Sequence, residues 1–385
     1  MTNLIWAIVI STIFLTIFVI AEIMRKKGCD IEVTRKFVHF AGAFTTLFFP
    51  FIFNSHWVVL ALAIAFGLIM FITKKCNLLQ SVHAVERKSE GAIYHPMAVY
   101  FCFLYSEFLQ QPWFYVIAIM ILAISDASAA LVGKNYGSRS FIVEPGSKKS
   151  LEGSICFFLS AFLITHLILL LTTDIGRLES VLVAILISVI VTIFEGVSLK
   201  GTDNLFVPIG TMFILSKNVT PHPETIATHI GMLFLVLITY LVVMRPYKRI
   251  GFSGILLLGL INYIIGALLG SLYALIIFAF SFLCQKTNII LTHDCEDSDA
   301  YRVTPVFYIL TVPLICAFVG DYLNNFIMTH NLIFYPFIAS MICQGVIIRE
   351  RLFDGNLNKG LVITIVITSI VALITAGVSY VLYFR

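Results

Sequence analysis

Leu4-Ile-Trp-Ala-Ile-Val-Ile-Ser-Thr-Ile-Phe-Leu-Thr-Ile-Phe-Val-Ile-Ala-Glu-Ile-Met24 contains one ionisable side chain, Glu22, and is closed by Arg25, Lys26 and Lys27. A helix rises 1.5 Å per residue, so about 20 consecutive apolar residues cross the hydrocarbon of a bilayer. No basic residue precedes the run and no small-residue cleavage site follows it, which reads as a retained span rather than a signal peptide. Comparable runs recur at 37–53, 57–73, 93–109, 113–132, 151–171, 181–199, 205–216, 226–244, 252–270, 272–285, 303–322, 332–348 and 361–383. They predict an all-α fold, a polytopic membrane helical bundle of about 13–14 transmembrane helices, with 205–216 and 272–285 short enough to be re-entrant or tilted.

Composition leads to the same class. Of 385 residues 59% are hydrophobic and 12% charged, and mean hydropathy is +0.99. Soluble domains carry about 25% charged residues, so too few charges are present to clothe water-soluble domains. The net charge of +4 is dispersed through short loops, which argues against nucleic acid as a partner. Eight cysteines at 29, 76, 102, 156, 284, 295, 316 and 343 include no CxxC pair, so neither a zinc site nor a disulfide framework is indicated.

With the N-terminus outside, Arg177 and Lys217 are the cations of the outside loops, while Arg25 to Lys36, Lys74, Lys75, Lys134 to Lys149 and Lys200 fall inside. This asymmetry follows the positive-inside rule and puts the polar loops on the cytoplasmic side. The hydrophilic segments 74–92, 133–150 and 286–302 are each shorter than twenty residues, so an active site has to be assembled at the membrane surface from loops and helix ends. Arg245-Pro246-Tyr247-Lys248-Arg249 interrupts the pattern and suggests a boundary between a catalytic domain, 1–249, and an additional transmembrane module of unknown role, 250–385.

An ionisable group at membrane depth costs about 3 kcal/mol on insertion scales and so marks a functional position. Asp126 lies inside the fifth span and Glu195 inside the seventh, with Asp203-Asn204 directly after it. Between them runs Gly133-Lys-Asn-Tyr-Gly137, then Glu144-Pro-Gly-Ser-Lys148-Lys149-Ser-Leu-Glu-Gly153-Ser154. Glycines admit close backbone approach to phosphate, and a helix starting near Ser150 would aim its amide dipoles at an anion. Lys148 and Lys149 add charge there, and an upstream carboxylate could hold the Mg²⁺ that accompanies nucleotide phosphates. No GxxxxGK[ST] or GxGxxG occurs, so this is not a P-loop. Arg35, Lys36 and His39 open the second span, with Arg35 and His39 on one helix face as candidates for phosphate binding. Glu86 to Pro96 has a similar composition and reads by default as a solvated loop.

Taken in order, Arg35-Lys36-x-x-His39, Gly91 with Tyr94 and Pro96, Asp126-Ala-x-Ala-x-x-x-Gly133, Lys148-Lys-Ser-x-Glu-Gly-Ser154 and Glu195-Gly-x-x-x-x-Gly-x-Asp203-Asn204-x-x-x-Pro208 resemble the polyprenol kinase family, which includes dolichol, phytol and farnesol kinases. The resemblance covers roughly 30–245. It implies transfer of a γ-phosphoryl group, commonly from CTP with a divalent metal, to the hydroxyl of an isoprenoid alcohol in the bilayer. By position, Asp126 matches the family's motif aspartate, Lys148, Lys149, Gly153 and Ser154 its loop, and Asp203 and Asn204 its later acidic pair.

The roles expected are Asp126, Asp203 and Lys148 as catalytic residues and Asp126 with Glu195 or Asp203 as Mg²⁺ ligands. Nucleotide and phosphate binding would draw on Arg35, Lys36, His39, Gly133, Gly137, Lys148, Lys149, Gly153, Ser154 and Asn204. Asp203 could instead orient or deprotonate the alcohol. Two alternatives remain: a cytidylyltransferase of the kind that makes CDP-diacylglycerol, and an ion-coupled transporter, which would predict repeated halves with interrupted helices that the sequence does not display. In the last third, Gly266-Ala-Leu-Leu-Gly270 reads as close helix packing, and Asp294-Cys-Glu-Asp-Ser-Asp299 as a solvated turn. Asp321 has no partner that the sequence identifies.

Overall fold

A computed structural model of the chain describes residues 2–83, 91–144, 147–219, 222–245, 251–270 and 274–279, with isolated positions at 303, 306 and 314. The main helices among them are α1 (Thr2–Lys26), α2 (Ile31–Thr46), α3 (His56–Lys75), α4 (Gly91–Leu109) and α5 (Pro112–Tyr136). They continue with α6 (Leu151–Thr172), α7 (Arg177–Val197), α8 (Asp203–Asn218), α9 (Pro223–Met244) and α10 (Phe252–Leu269). Each of the first ten apolar runs coincides with one of these helices, the second being continued by a short helical turn at Phe49–Ile52. Seven of them, α1, α3, α5, α6, α7, α9 and α10, are long and apolar enough to cross a membrane, as expected of a multi-pass membrane protein. The runs 303–322, 332–348 and 361–383, most of 272–285, the acidic loop at 294–299 and Asp321 lie outside the described residues.

One local departure from an all-helical reading occurs between α5 and α6. Ser140–Glu144 (β1) and Ser147–Ser150 (β2) pair as a two-stranded hairpin where the sequence suggested a plain glycine-lysine loop. Phe141-Ile142-Val143 supplies aromatic and β-branched residues ahead of Pro145-Gly146, a strand signal that the loop reading overlooked.

The chain divides into two units, one of Met1–Ser140 with Lys149–Ile230 and the other of Phe141–Lys148 with Gly231 onward. In the first, α1 packs on α2, α3 on α4, α4 on α8, α6 on both α5 and α7, and α7 on α8. Close approach of α5 and α6 depends on missing side chains. A Cβ on Gly153 would stand 2.8 Å from the Ala129 carbonyl, and one on Gly133 would stand 2.6 Å from Ser150 Oγ. In the second unit, Ser253 Oγ donates to the Ile142 carbonyl at 3.0 Å, and Asn262 Nδ2 donates to the Tyr240 hydroxyl at 2.5 Å. Gly266 approaches Ala274 so closely that an added Cβ would lie 3.0 Å from it, a packing contact within the chain at the first glycine of the GxxxG.

Three local devices set the ends of the helices that matter most. Asp30 caps α2 by accepting from the Glu32 amide at 2.9 Å, and Lys134 near the end of α5 reaches the same carboxylate at 3.4 Å. The Glu32 amide first, and Lys134 next, hold the Asp30 carboxyl below its usual pKa. Ser150 caps α6 by accepting from the Gly153 amide at 3.1 Å, so α6 does start where the sequence suggested. Between α7 and α8, Lys200 and Gly201 both adopt positive φ, 52° and 87°, a region glycine enters without steric cost. That sharp reversal brings Glu195 and Asp203 to the same end of the bundle.

Candidate active site

Adjacent residues on a strand point to opposite faces, so the twin lysines of β2 part company. Lys148 is exposed. Lys149 turns inward and bonds the carboxylate of Glu195, with Asp203 Oδ2 4.0 Å from the same ammonium. Glu195 is only 5% exposed, so its charge is one that needs a partner. Burial acts against the Lys149 ammonium, but the carboxylates of Glu195 and Asp203 outweigh it and hold its pKa above the ordinary lysine value.

The α7–α8 reversal organises the rest of this corner. Ser198 Oγ donates to Asp203 Oδ2 at 3.2 Å, and the Asn204 amide donates to Asp203 Oδ1 at 3.0 Å. Asn204 is buried, and its Nδ2 donates to the Gly91 carbonyl at 2.9 Å, so it latches the start of α8 to the start of α4.

Asp126 enters from α5, one residue after a π-helical turn, Ile121–Ser125. Its field reaches Arg35, His39, Lys149 and Glu195, and that of Asp203 reaches Arg35 and His39. The early carboxylate, Lys149 and the Asp203-Asn204 corner therefore belong to one electrostatic cluster. Arg35 makes a two-pronged pair with Glu32, Nη2 to Oε1 at 2.6 Å and Nε to Oε2 at 3.1 Å, and keeps its guanidinium in this field. Asp126, in contrast, is half-buried with neither a hydrogen bond nor an ion pair from its carboxylate among the described residues.

The remaining sequence candidates fall into three groups. Gly133 and Gly153 stand at the α5–α6 contact against Ser150, Gly137 beside them, and Ser154 Oγ donates back to the Ser150 carbonyl at 3.2 Å. Lys36 is half-buried on α2. His39 lies one turn further along α2, its ring 5.2 Å, centroid to centroid, from the ring of His95.

His95 and Ser198 are the polar groups that sequence reasoning passed over. The signal for His95 was present, a histidine between Tyr94 and Pro96 at the start of an apolar run, but its segment read as a loop. For Ser198 only the fold supplies the cue, because its role comes from the reversal that follows α7.

Among the described residues no three His, Cys, Asp or Glu side chains form a ready metal cage. Mg²⁺ does not require one, since it is usually held by one or two carboxylates, with phosphate oxygens and water completing the shell. The donor set fits that pattern: Asp126 is uncommitted, and Asp203 is held by one hydroxyl and one amide.

A multi-pass helical membrane protein with carboxylates and a lysine gathered at one end of its helices is the class these features define. Comparison with curated proteins gives 30% identity over 196 residues to the phytol kinase of Synechocystis sp., covering 50% of this chain and 83% of that protein. A Zea mays protein named as a probable chloroplastic phytol kinase is 26% identical over 136 residues, covering 34% of this chain and 44% of its own length. A Glycine max protein, named as a probable chloroplastic phytol kinase 2, is 27% identical over 131 residues, covering 32% and 44%. The chain belongs to the phytol and polyprenol kinase family. No family model matches the chain, and no solved structure matches it.

Proposed function

We propose that this protein is a membrane lipid kinase that transfers the γ-phosphoryl group of a nucleoside triphosphate, CTP in the first instance, to the hydroxyl of an isoprenoid alcohol such as phytol, farnesol or a polyprenol. The carrying observation is the junction of Asp126, Lys149, Glu195, Asp203 and Arg35, contributed by α5, β2, α7, α8 and α2, in one electrostatic cluster. The names of the curated relatives support the acceptor class.

Phosphoryl transfer asks little covalent chemistry of a protein; it asks for alignment and for neutralisation of charge on the moving group. In this reading Asp126 and Asp203 hold the divalent cation, which when bound would neutralise phosphate charge. Lys149 and Arg35 face the phosphates, and Glu195 keeps Lys149 extended toward them. The alcohol oxygen forms a bond to the γ-phosphorus while the bond to the bridging oxygen breaks, and a nucleoside diphosphate leaves. The acceptor hydroxyl gives up its proton to a neighbouring base.

Expression in membranes with labelled CTP or ATP and with phytol, farnesol or a longer polyprenol tests the proposal. A labelled lipid monophosphate is expected with at least one pairing. A folded protein that makes none with any pairing, or that releases pyrophosphate and a CMP-linked lipid instead, rules the kinase reading out.

A further inference from the structure

Two helices step away from the ionic cluster by one turn each, and both steps end at the same place. On α2 the step runs from Arg35 to His39, and on α4 from Gly91, latched to Asn204, to His95. Each is an i to i+4 spacing on one helix face, about 5–6 Å along the axis. The two histidine rings meet there edge to face at 5.2 Å.

These rings are short of partners. His39 Nε2 and both ring nitrogens of His95 are shut off from solvent without a hydrogen bond to any described residue. Buried polar atoms are normally satisfied, and an unsatisfied cluster calls for an explanation. In the tautomer with its hydrogen on Nδ1, His39 presents a free Nε2 lone pair one helical turn from Arg35. Both residues are half-buried overall.

We infer that the His39–His95 pair is the seat of the acceptor hydroxyl, His39 Nε2 taking its proton and a His95 nitrogen orienting its oxygen. The inference rests on the kinase reading and names the acceptor end of that site. An amphiphilic alcohol presents its single hydroxyl at the top of an apolar tail, and the pair lies where that hydroxyl would stand when the tail remains in the membrane interior. As the oxygen–phosphorus bond forms, the O–H bond breaks and its proton passes to Nε2, giving an imidazolium within the field of Asp126 and Asp203.

The test compares wild type with His39→Gln, His39→Phe and His95→Phe by steady-state kinetics on the preferred alcohol, with thermal protection by the nucleotide as the check on folding. Glutamine keeps a hydrogen-bonding group but cannot accept the proton. His39→Gln should therefore keep KM for the alcohol within about threefold and lose about 100-fold or more in kcat. His39→Phe should lose both, and His95→Phe should raise KM for the alcohol about tenfold. All three should retain nucleotide protection. An active wild type whose His39→Gln variant keeps kcat within twofold overturns this inference alone, and would mean that the pair encloses a structural water. A wild type that phosphorylates no alcohol overturns both this inference and the kinase reading.

Discussion

Lys149 is joined to Glu195 across 46 residues of sequence, and its immediate neighbour Lys148 takes no part in that bond. Two lysines that look equivalent in the sequence are thus separated by the alternation of a strand, one held against a buried carboxylate and the other in the open.

Lys149→Ala should therefore lower turnover by at least tenfold and also destabilise the fold, by roughly 3 kcal/mol, because removing one member of a buried pair strands the other. Lys148→Ala should leave the unfolding temperature within a degree or two of wild type. Thermal unfolding in detergent beside lipid-phosphate formation measures both. Equal destabilisation by the two variants would contradict the division of the pair.

The same pairing sets a pH signature. The folded-state pKa of Lys149 lies above the ordinary value of 10.5, so its contribution to stability is complete below that value and disappears only as pH rises through the raised one. The difference in unfolding temperature between wild type and Lys149→Met should be constant from about pH 7 to 9 and shrink in stronger alkali. A difference that already fades near neutrality would place the ammonium outside the carboxylate cluster.

Asp126 is the uncommitted carboxylate of the cluster among the described residues, and Asn is nearly its isostere. Asp126→Asn should reduce turnover by orders of magnitude and leave expression and thermal stability close to wild type, since no bond within the described structure is lost. Calorimetric or fluorescence titration with Mg²⁺ in the presence of nucleotide should show weakened cation affinity in this variant. Unchanged turnover would remove Asp126 from the site.

Gly153→Ala tests the helix contact beneath the cluster. Its Cβ would stand 2.8 Å from a backbone carbonyl, that of Ala129, which cannot rotate aside as a side chain can. Separation of α5 from α6 should cost about 1–3 kcal/mol and weaken nucleotide protection, because Asp126 and β2 are carried by the two elements pushed apart. A variant as stable as wild type would show that the contact has slack.

Much of the architecture was legible because a bilayer imposes a length and a composition on anything that crosses it, and runs such as 4–24 and 151–171 satisfy both. The convergence of Asp126, Lys149 and Asp203 was also legible, through the rarity of charges at membrane depth and the resemblance of their surroundings to a kinase family. Other features were not readable in one dimension. Which lysine faces inward depends on a hairpin whose strands are too short to stand out from a loop. Asn204 looked like a ligand and turns out to latch two helices, because nothing in Asp203-Asn204 says that Gly91 is its neighbour. His95 was passed over because its partner, His39, lies more than fifty residues earlier and meets it only through packing.

The π turn at Ile121–Ser125 changes how α5 can be edited. Ahead of it, Phe114 to Ile119 are enclosed on all sides, and beyond it Asp126, Ala127 and Ser128 are only half-buried. A wide turn of this kind accommodates one surplus residue, so it works as a phase adjuster between a greasy stem and a reactive tip. Removing one residue from those five would restore a regular spiral with Asp126 at nearly its present bearing, whereas removing one from the regular stem ahead of them would swing Asp126 by about 100° around the axis and away from the cluster, with hydropathy left nearly unchanged in both.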